Sequence, residues 1–367
     1  MQRILLGGLT LALCLSVASA NANDQAVPTE PLQQPALHSQ LAQRSLMLDV
    51  THAGDALVAV GERGFILRSE DGGQSWQQME APVSVTLTRV TFPTAEQGWA
   101  VGHAGVVLHS SDGGRSWRLQ LDGRQAAQLI QAAAQKRLAA EPGAASERRV
   151  ADARNLIADG PDKPFLAVHF FDDQRGIVLG AYGLAFATSD GGATWQPIDE
   201  HLDNPGALHL YDIQASGDKL FIAGEQGLLL RSDDGGASFQ ALQSPASGTL
   251  FGLVTSGQGD LLAFGLRGKS YLSKDAGESW KAIANAQPIT LTAGTRLSDG
   301  SVLLVDESGR LLASQNPQDG FVTTTLDEPT YLTGLVEVAG GGLVLSGARG
   351  ASRLNLDALN RSDPREQ

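Results

Sequence analysis

The chain has almost no cysteine. Of its 367 residues only Cys14 is one, and it lies in an apolar N-terminal segment. Residues 1–20 have the features of an export signal, with the positive Arg3, an apolar stretch over 4–17 and Ala18-Ser19-Ala20 as a cleavage site. Cleavage would leave a mature chain without any thiol, which excludes disulfides, thiol catalysis and thiolate metal sites. The sequence therefore predicts a protein that is exported to the periplasm.

Long apolar runs are also scarce. The apolar part of the signal is too short to span a bilayer, so we expect no direct membrane insertion after cleavage. A lipid anchor on Cys14 would need a small residue before the cysteine, but Leu13 is bulky. We therefore predict that the protein carries no lipoprotein anchor.

Basic residues are too few to balance the acids, because 27 Lys and Arg stand against 40 Asp and Glu and give a formal charge of −13. A field of this sign disfavours nucleic acid as a partner. No nucleophile elbow or phosphate loop is present, and His103 and His109 have no third metal ligand beside them. We predict no cofactor, no metal and no enzymatic activity.

What the chain does contain is a repeat. The pattern Ser/Thr-x-Asp-x-Gly-x-x-Trp, here called the Asp box, occurs five times, once with Phe in the last position. Its Asp and aromatic positions are Asp71 and Trp76, Asp112 and Trp117, Asp190 and Trp195, Asp234 and Phe239, and Asp275 and Trp280. A Gly-x-x-Gly element begins eight residues before each box, and the same spacing continues to Asp306 and Gly347. Seven units therefore share one period of about 41 residues.

The pattern inside a unit predicts the fold. In the second unit, residues 87–92, 99–101, 106–109 and 117–121 are typical of short strands bounded by Gly, Asp or Ser. Four antiparallel strands in each of seven units predict an all-β, seven-bladed β-propeller. Each box is then the turn between the third and fourth strands, with its Asp accepting backbone hydrogen bonds and its Trp packing between layers. We therefore interpret the box residues as structural.

One interval between units is longer than the rest. Residues 122–164 are rich in helix-compatible residues and predict an α-helical hairpin inserted between blades two and three, with Asp122 and Gln125 as a capping pair. Residues 21–35 are a polar leader, 36–356 the propeller and 357–367 a polar tail. The seventh unit lacks a box, so we predict that residues 36–44 supply its fourth strand and close the ring.

In this connectivity the Gly-x-x-Gly turns and the hairpin share one face of the propeller, and the Asp boxes lie on the other. The third position of the turns is occupied by Arg63, Ala104, Tyr182, Gln226, Arg267, Ser308 and Arg349. Arginine binds carboxylates bidentately. We therefore predict a partner-binding face that contains Arg63, Arg267, Lys269, Arg349 and Tyr182. The alternative, that these cations only offset nearby acids such as Glu62 and Glu225, stays open.

The boxes resemble the Asp-box (BNR) repeat. Together with the upstream turns, as in GWAVGHAGVVLHSSDGGRSW over residues 98–117, they are similar to the photosystem II stability/assembly factor family. The resemblance extends over about residues 45–354. It implies an exported seven-bladed propeller that helps to assemble a membrane complex without catalysing a reaction, and it implies partner binding by an Arg-rich face. We expect a monomer that binds a protein of an envelope membrane complex.

The alternative class is a carbohydrate-active enzyme, since Asp boxes also occur in sialidases and other glycosidases. Such a site needs an Arg triad, a Tyr–Glu pair and an acidic residue. Of the four tyrosines only Tyr182 lies at a ring turn, and Glu225, one blade further on, is poorly placed to pair with it. No set of residues converges on a reactive centre.

Overall fold

The computed structural model describes residues 30–257, 259–285 and 287–355. The predicted signal peptide with Cys14 and the polar tail lie outside the described residues.

Within these described residues, twenty-seven strands form seven antiparallel sheets, in which sequence order and spatial order agree. Blades one and two consist of β1 (Met47–Ala53), β2 (Ala56–Gly61), β3 (Ile66–Ser69) and β4 (Gln77–Met79), and of β5 (Leu87–Thr91), β6 (Gly98–Gly102), β7 (Val107–Ser110) and β8 (Arg118–Leu121). Blades three and four consist of β9 (Phe165–Phe170), β10 (Gly176–Gly180), β11 (Ala185–Thr188) and β12 (Gln196–Pro197), and of β13 (Leu210–Ser216), β14 (Lys219–Gly224), β15 (Leu229–Ser232) and β16 (Gln240–Ala241). Blades five and six consist of β17 (Leu250–Thr255), β18 (Leu261–Gly265), β19 (Ser270–Ser273) and β20 (Lys281–Ile283), and of β21 (Leu291–Arg296), β22 (Val302–Asp306), β23 (Arg310–Ser314) and β24 (Val322–Thr325). Blade seven has β25 (Leu332–Val338), β26 (Gly342–Gly347) and β27 (Gly350–Asn355).

The sheets are arranged as a closed ring. The first strand of each blade contacts the first strand of the next, and β25 of blade seven contacts β1 of blade one. At that junction the Thr333 hydroxyl donates to the Met47 carbonyl at 2.7 Å, and His52 Nε2 lies 2.7 Å from the Glu337 carbonyl oxygen. The predicted all-β, seven-bladed propeller is confirmed.

Apolar side chains fill the space between neighbouring blades. The box tryptophans Trp76, Trp117 and Trp195 are each less than a tenth exposed, and each packs in a cluster shared with the preceding blade. Trp99 stacks on Phe170 of blade three with ring centroids 3.6 Å apart. Burial of one such side chain stabilises a fold by roughly 1.5–3 kcal/mol, so the inter-blade layers are the principal core.

The prediction for residues 36–44 is wrong. The segment contains a short 3-10 turn, Ala42–Arg44, and no strand, and blade seven has three strands within the described residues. The segment lies along β4 of blade one instead, where the Ala36 N–H donates to the Ala81 carbonyl at 3.0 Å. Ala42 is buried against both blades at the junction. The N-terminal segment therefore covers the junction between blades seven and one by packing rather than by strand pairing.

The inserted hairpin is present between blades two and three, as predicted. It consists of α1 (Gly123–Ala140) and α2 (Ala144–Asp159). Asp122 accepts hydrogen bonds from the N–H groups of Arg124 and Gln125, and the Gln125 side chain accepts one from the Asp122 N–H, so the capping box forms. Its buried face, which includes Ile130 and Val150, packs in one cluster with residues of blades two and three.

Candidate partner-binding face

Five of the seven repeat turns expose their third residue to solvent, whereas Ala104 and Ser308 are half-buried. In blades one to five the turn is a short 3-10 segment, and Arg63, Tyr182 and Arg267 have φ of 55° or 56°. The glycine after Arg63 is required by a close approach, because a Cβ on Gly64 would lie 2.1 Å from the Val83 carbonyl oxygen. The turn backbone is therefore fixed in the left-handed region whichever side chain the third position carries.

Blades six and seven depart from this geometry. In blade six the buried Asp306 carboxylate accepts from the Ser308 N–H at 2.9 Å and from Arg310 Nε at 2.7 Å. In blade seven β26 and β27 are joined directly by Ala348 and Arg349. The sequence period thus continues through blades whose turns are built differently.

The hairpin and these turns share one face, here called the turn face. Helix α1 contacts the turn of blade two, where a Cβ on Gly105 would lie 2.7 Å from Gly123 Cα. The Asp boxes connect the opposite ends of the strands, on what we call the box face. The strand connections therefore place the Gly-x-x-Gly turns and the Asp boxes on opposite faces, as the sequence predicts.

The predicted cations lie on the turn face but do not form one cluster. Arg63, Arg267 and Lys269 are exposed and have no carboxylate partner among the described residues. Arg349 pairs with Glu328 at 3.0 Å in a fully solvated setting that contributes little energy. Arg349 and Arg63 are on adjacent blades, whereas blade six separates Arg267 and Lys269 from Arg349.

Tyr182 belongs to a row of aromatic rings that sequence reasoning missed. It is 59 % exposed and meets His209 edge-on at 4.8 Å. The row continues from His209 to Tyr211 at 6.3 Å and from Tyr211 to Phe251 at 5.1 Å, crossing from blade three to blade five. His209 comes directly before the first strand of blade four. Tyr211 is the second residue of that strand, and Phe251 is the second residue of the first strand of blade five. Alignment of the repeats would have revealed this shared register.

Exposed apolar side chains also favour the turn face. Of the large hydrophobic residues that are exposed in the described chain, Tyr182, Leu266 and Tyr331 lie at turns of this face and Ile157 lies on α2. The others are on fourth strands or the N-terminal segment: Leu37, Leu41, Leu119 and Val322. Val322 is the first residue of β24 and therefore lies at the end of its strand that borders the box face. Exposed apolar groups beside unpaired cations are typical of a protein-binding surface.

The Asp boxes use their own polar groups. In blade two the Ser110 hydroxyl donates to Asp112 Oδ1 at 2.8 Å and accepts from the Gly114 N–H at 2.9 Å. The Asp112 carboxylate also accepts from the Ser116 N–H at 2.9 Å and from its hydroxyl at 2.6 Å. The same pattern recurs at Asp71, Asp190, Asp234 and Asp275. The Ser238 and Ser279 hydroxyls and N–H groups lower the pKa of Asp234 and Asp275 to about 2. These carboxylates are fully engaged within their turns.

Two partly buried carboxylates join inner strands. Asp49 Oδ2 accepts from the Val90 N–H at 2.9 Å, and Asp212 Oδ2 accepts from the Leu253 N–H at 2.8 Å. Burial raises the pKa of both carboxyls, and Arg89, 3.8 Å from Asp49, opposes the rise. Each carboxylate thus connects one blade to the next, a role that could not be predicted from the sequence repeat.

Neither a metal centre nor a glycosidase site is assembled in the described residues. No group of three His, Cys, Asp or Glu side chains there could hold a metal ion. Tyr182 contacts His209 and Lys163, not a carboxylate. His109 is buried beside Trp99 and Gln97, and its burial and Arg118 lower its pKa to about 4.

Comparison with known proteins agrees with this architecture. The model of the family described as "Photosynthesis system II assembly factor YCF48" matches residues 31–144 and 152–324. The chain belongs to this family. The resemblance of the boxes and turns to that family is thereby confirmed.

Individual relatives are more distant. The photosystem II assembly lipoprotein Ycf48 of Synechococcus sp. (strain CC9902) is 35 % identical over 77 residues, which cover 21 % of this chain and 23 % of that relative. The match thus spans about a quarter of the relative's length. The relative is named a lipoprotein, so our prediction that lipid anchoring is absent has no support. Neither α1 nor α2 is apolar enough over its length to cross a bilayer.

Solved structures share the fold. A structure titled "YCF48 bound to D1 peptide" has a TM-score of 0.62 at 18 % identity and covers 86 % of this chain and 97 % of that chain. YCF48 from Cyanidioschyzon merolae has a TM-score of 0.61 at 13 % identity, covering 88 % of this chain and 99 % of that chain. The WD40 propeller of Doa1 has a TM-score of 0.59 at 10 % identity, covering 88 % and 95 %. At these identities the likeness establishes the propeller.

Proposed function

We propose that the protein is an exported, noncatalytic assembly factor that binds an acidic segment of a membrane-complex protein through its turn face. Membership of the assembly-factor family and the peptide named with one solved member support a protein partner. The observation that carries the proposal is that exposed apolar side chains and cations without carboxylate partners among the described residues lie together on the turn face.

The chemistry of this face fits an acidic partner. Arg63, Arg267 and Lys269 protrude without a carboxylate partner among the described residues, in a chain whose formal charge is −13. An acidic segment would supply carboxylates to these cations. Hydrogen bonds between a carboxylate and an Arg or Lys side chain are stronger than those between neutral groups. Arg63 is on blade one, whereas Arg267 and Lys269 are on blade five, so an extended segment suits the site better than a single group.

The test uses a fluorescein-labelled D1 peptide and fluorescence anisotropy. We expect saturable binding that weakens about tenfold or more when Arg63, Arg267 and Arg349 are all changed to Glu, and that weakens with added salt. The matched control changes Arg118, Arg175 and Arg296 to Glu, which adds the same charge at exposed positions away from the turn face. Absence of peptide binding, or equal loss in both triple variants, would refute the proposal.

A further inference from the structure

A cleft of ≈ 450 Å³ lies between the inserted hairpin and blade three. Ile130, Ala153 and Leu156 line it from the hairpin, and Tyr182 and Leu184 line it from the propeller. Ile130, Ala153 and Leu184 are buried, so the floor is apolar, while Tyr182 forms an exposed wall. The cleft is thus of the kind that accepts a large apolar side chain.

Ion pairs fix the two walls relative to each other. Arg137 of α1 and Arg149 of α2 both pair with Glu200, at 2.6 and 2.7 Å, and Arg149 also pairs with Asp199. Asp199 and Glu200 belong to the connection that follows β12. These partly buried pairs hold the hairpin against blade three, so the cleft is formed before anything binds to it.

One cation at the cleft is left over. Arg148 lines it, is exposed, and has no carboxylate partner among the described residues. The hairpin as a whole is basic, since residues 123–159 contain six Lys or Arg and four Asp or Glu in a chain with a formal charge of −13. The hairpin therefore has a net positive charge. Arg137 and Arg149 use theirs on Asp199 and Glu200 of the propeller, so Arg148 is the cleft arginine that can pair with a carboxylate of a bound segment.

The Tyr182 side chain is exposed from a backbone conformation that is unfavourable for an L-residue. The left-handed backbone region is less favourable by roughly 1 kcal/mol for a residue that has a side chain. Tyr182 is in this region, with φ 56°. Its ring lies between the cleft and the aromatic row that begins at His209. The cleft therefore opens toward the remainder of the turn face.

Part of the cleft lies outside the family match. Residues 145–151 fall between the two matched stretches, and they include Ala145, Arg148 and Arg149, all of which line the cleft. Any preference for particular peptides that these residues give the cleft would thus come from outside the residues matched by the family model.

We propose that the cleft binds one large apolar side chain of an acidic peptide segment, and that Arg148 binds a carboxylate of the same segment. The inference rests on the proposed function, because the segment is that of the partner bound by the turn face. Burial of one large apolar side chain contributes roughly 1.5–3 kcal/mol, which corresponds to about a tenfold to hundredfold gain in affinity.

The test measures anisotropy of the fluorescein-labelled D1 peptide with three matched pairs of variants. Ala145→Trp fills the cleft, whereas Ala144→Trp adds the same bulk at an exposed neighbour that does not line it. Arg148→Glu reverses the unpaired cation, whereas Arg154→Glu makes the same change elsewhere on α2. Tyr182→Gly removes the wall at a backbone that suits glycine, and Gln226→Gly does so at the equivalent turn of blade four. We expect about tenfold weaker binding in the first member of each pair and less than about twofold in the second.

Alanine replacement of each large apolar residue of the peptide identifies the occupant. One alanine replacement in the peptide should weaken binding to the wild-type protein about tenfold. The same replacement should have little further effect on binding to the Ala145→Trp variant, because the two changes remove the same contact. Circular dichroism and thermal melting establish that each variant is folded before its affinity is compared.

The outcomes separate this inference from the proposed function. If the triple arginine reversal weakens binding while all three cleft variants bind as the wild type does, the cleft inference is wrong and the proposed function stands. If the D1 peptide does not bind, both fail. A dimer in light scattering that Ala145→Trp alone abolishes would assign the cleft to a second copy of the chain and overturn the inference.

Discussion

The two faces of the propeller use charged side chains in opposite ways. On the box face each Asp is surrounded by donors of its own turn, so its negative charge is stabilised by groups within four residues of it in sequence. On the turn face Arg63 and Arg267 protrude from a rigid backbone without a carboxylate partner among the described residues. A repeated motif therefore reports the fold where its polar groups are satisfied locally, and it points to recognition where they are not.

The arginines of the two faces differ in the same way. Three arginines at the third strands reach a box carbonyl of the next blade: Arg353 Nη1 to Gly72 at 3.1 Å, Arg68 Nε to Gly113 at 2.8 Å and Arg231 Nη1 to Ala276 at 3.1 Å. Arg68 is buried and Arg353 is exposed. These cations connect blades, whereas the turn-face cations have no such partner, so the two sets should differ in what their removal changes.

The largest expected effect comes from dismantling one box. The double change Ser110→Ala and Asp112→Ala leaves the buried Gly114 N–H without an acceptor and removes two acceptors from Ser116, so we expect about 2–4 kcal/mol lower free energy of unfolding. Urea denaturation measures it, with exposed Asp173→Ala as the control. Peptide binding should persist at a temperature where the variant is folded; its loss there would make the box face functional and would break the comparison.

A smaller effect should follow removal of an inter-blade arginine. Arg68→Met removes a buried hydrogen bond from a charged group, so we expect roughly 1.5–3 kcal/mol of destabilisation. Arg353→Met removes a similar bond at an exposed position and should cost less than about 1 kcal/mol. Equal costs in thermal or urea unfolding would show that burial does not separate these two contacts.

Much of this organisation could be predicted from sequence because it follows from local rules. The Asp boxes recur with their donors in place, so the turns, the strands around them and the number of blades follow from the period. The capping pair Asp122 and Gln125 likewise marked the start of α1. In each case the decisive contacts lie within a few residues of sequence.

The errors came from contacts that are distant in sequence. Residues 36–44 were expected to pair with blade seven because an open edge is unfavourable, but Gln43 and Ser39 hydrogen-bond to blade one instead. The aromatic row from Tyr182 to Phe251 and the cleft beside α2 depend on how blades and hairpin pack together. Periodicity assigns these residues to a position in the ring but does not say what lies opposite them.

A moderate effect is expected from acid. His109 on the box-side half of blade two is neutral when folded, since burial and Arg118 lower its pKa to about 4 from an ordinary value of 6.5. The unfolded chain therefore binds a proton first, and stability should be complete above about pH 6.5 and fall as the pH approaches 4. Replacement by glutamine should reduce this loss, which is on the order of 2 kcal/mol between pH 7 and pH 4.5. Urea midpoints at pH 7 and pH 4.5 measure it; an unchanged difference between the two pH values would refute the assignment to His109.

The smallest expected change in stability is at a turn-face cation. Arg63→Gly relieves the left-handed strain of an L-residue but gives the unfolded chain more freedom, so the two effects nearly cancel and we expect a net change within about 0.5 kcal/mol. Ala104→Gly, at φ 57° in the next blade, is the matched control because it changes the same backbone without removing charge. D1 peptide binding should weaken several-fold for Arg63→Gly at low salt and stay unchanged for Ala104→Gly. Because stability is nearly constant in both variants, a difference in affinity can be assigned to the Arg63 side chain and not to unfolding. If both variants bind equally well, the Arg63 cation has no part in recognition, and the turn face must act through Arg267, Lys269 and its apolar side chains.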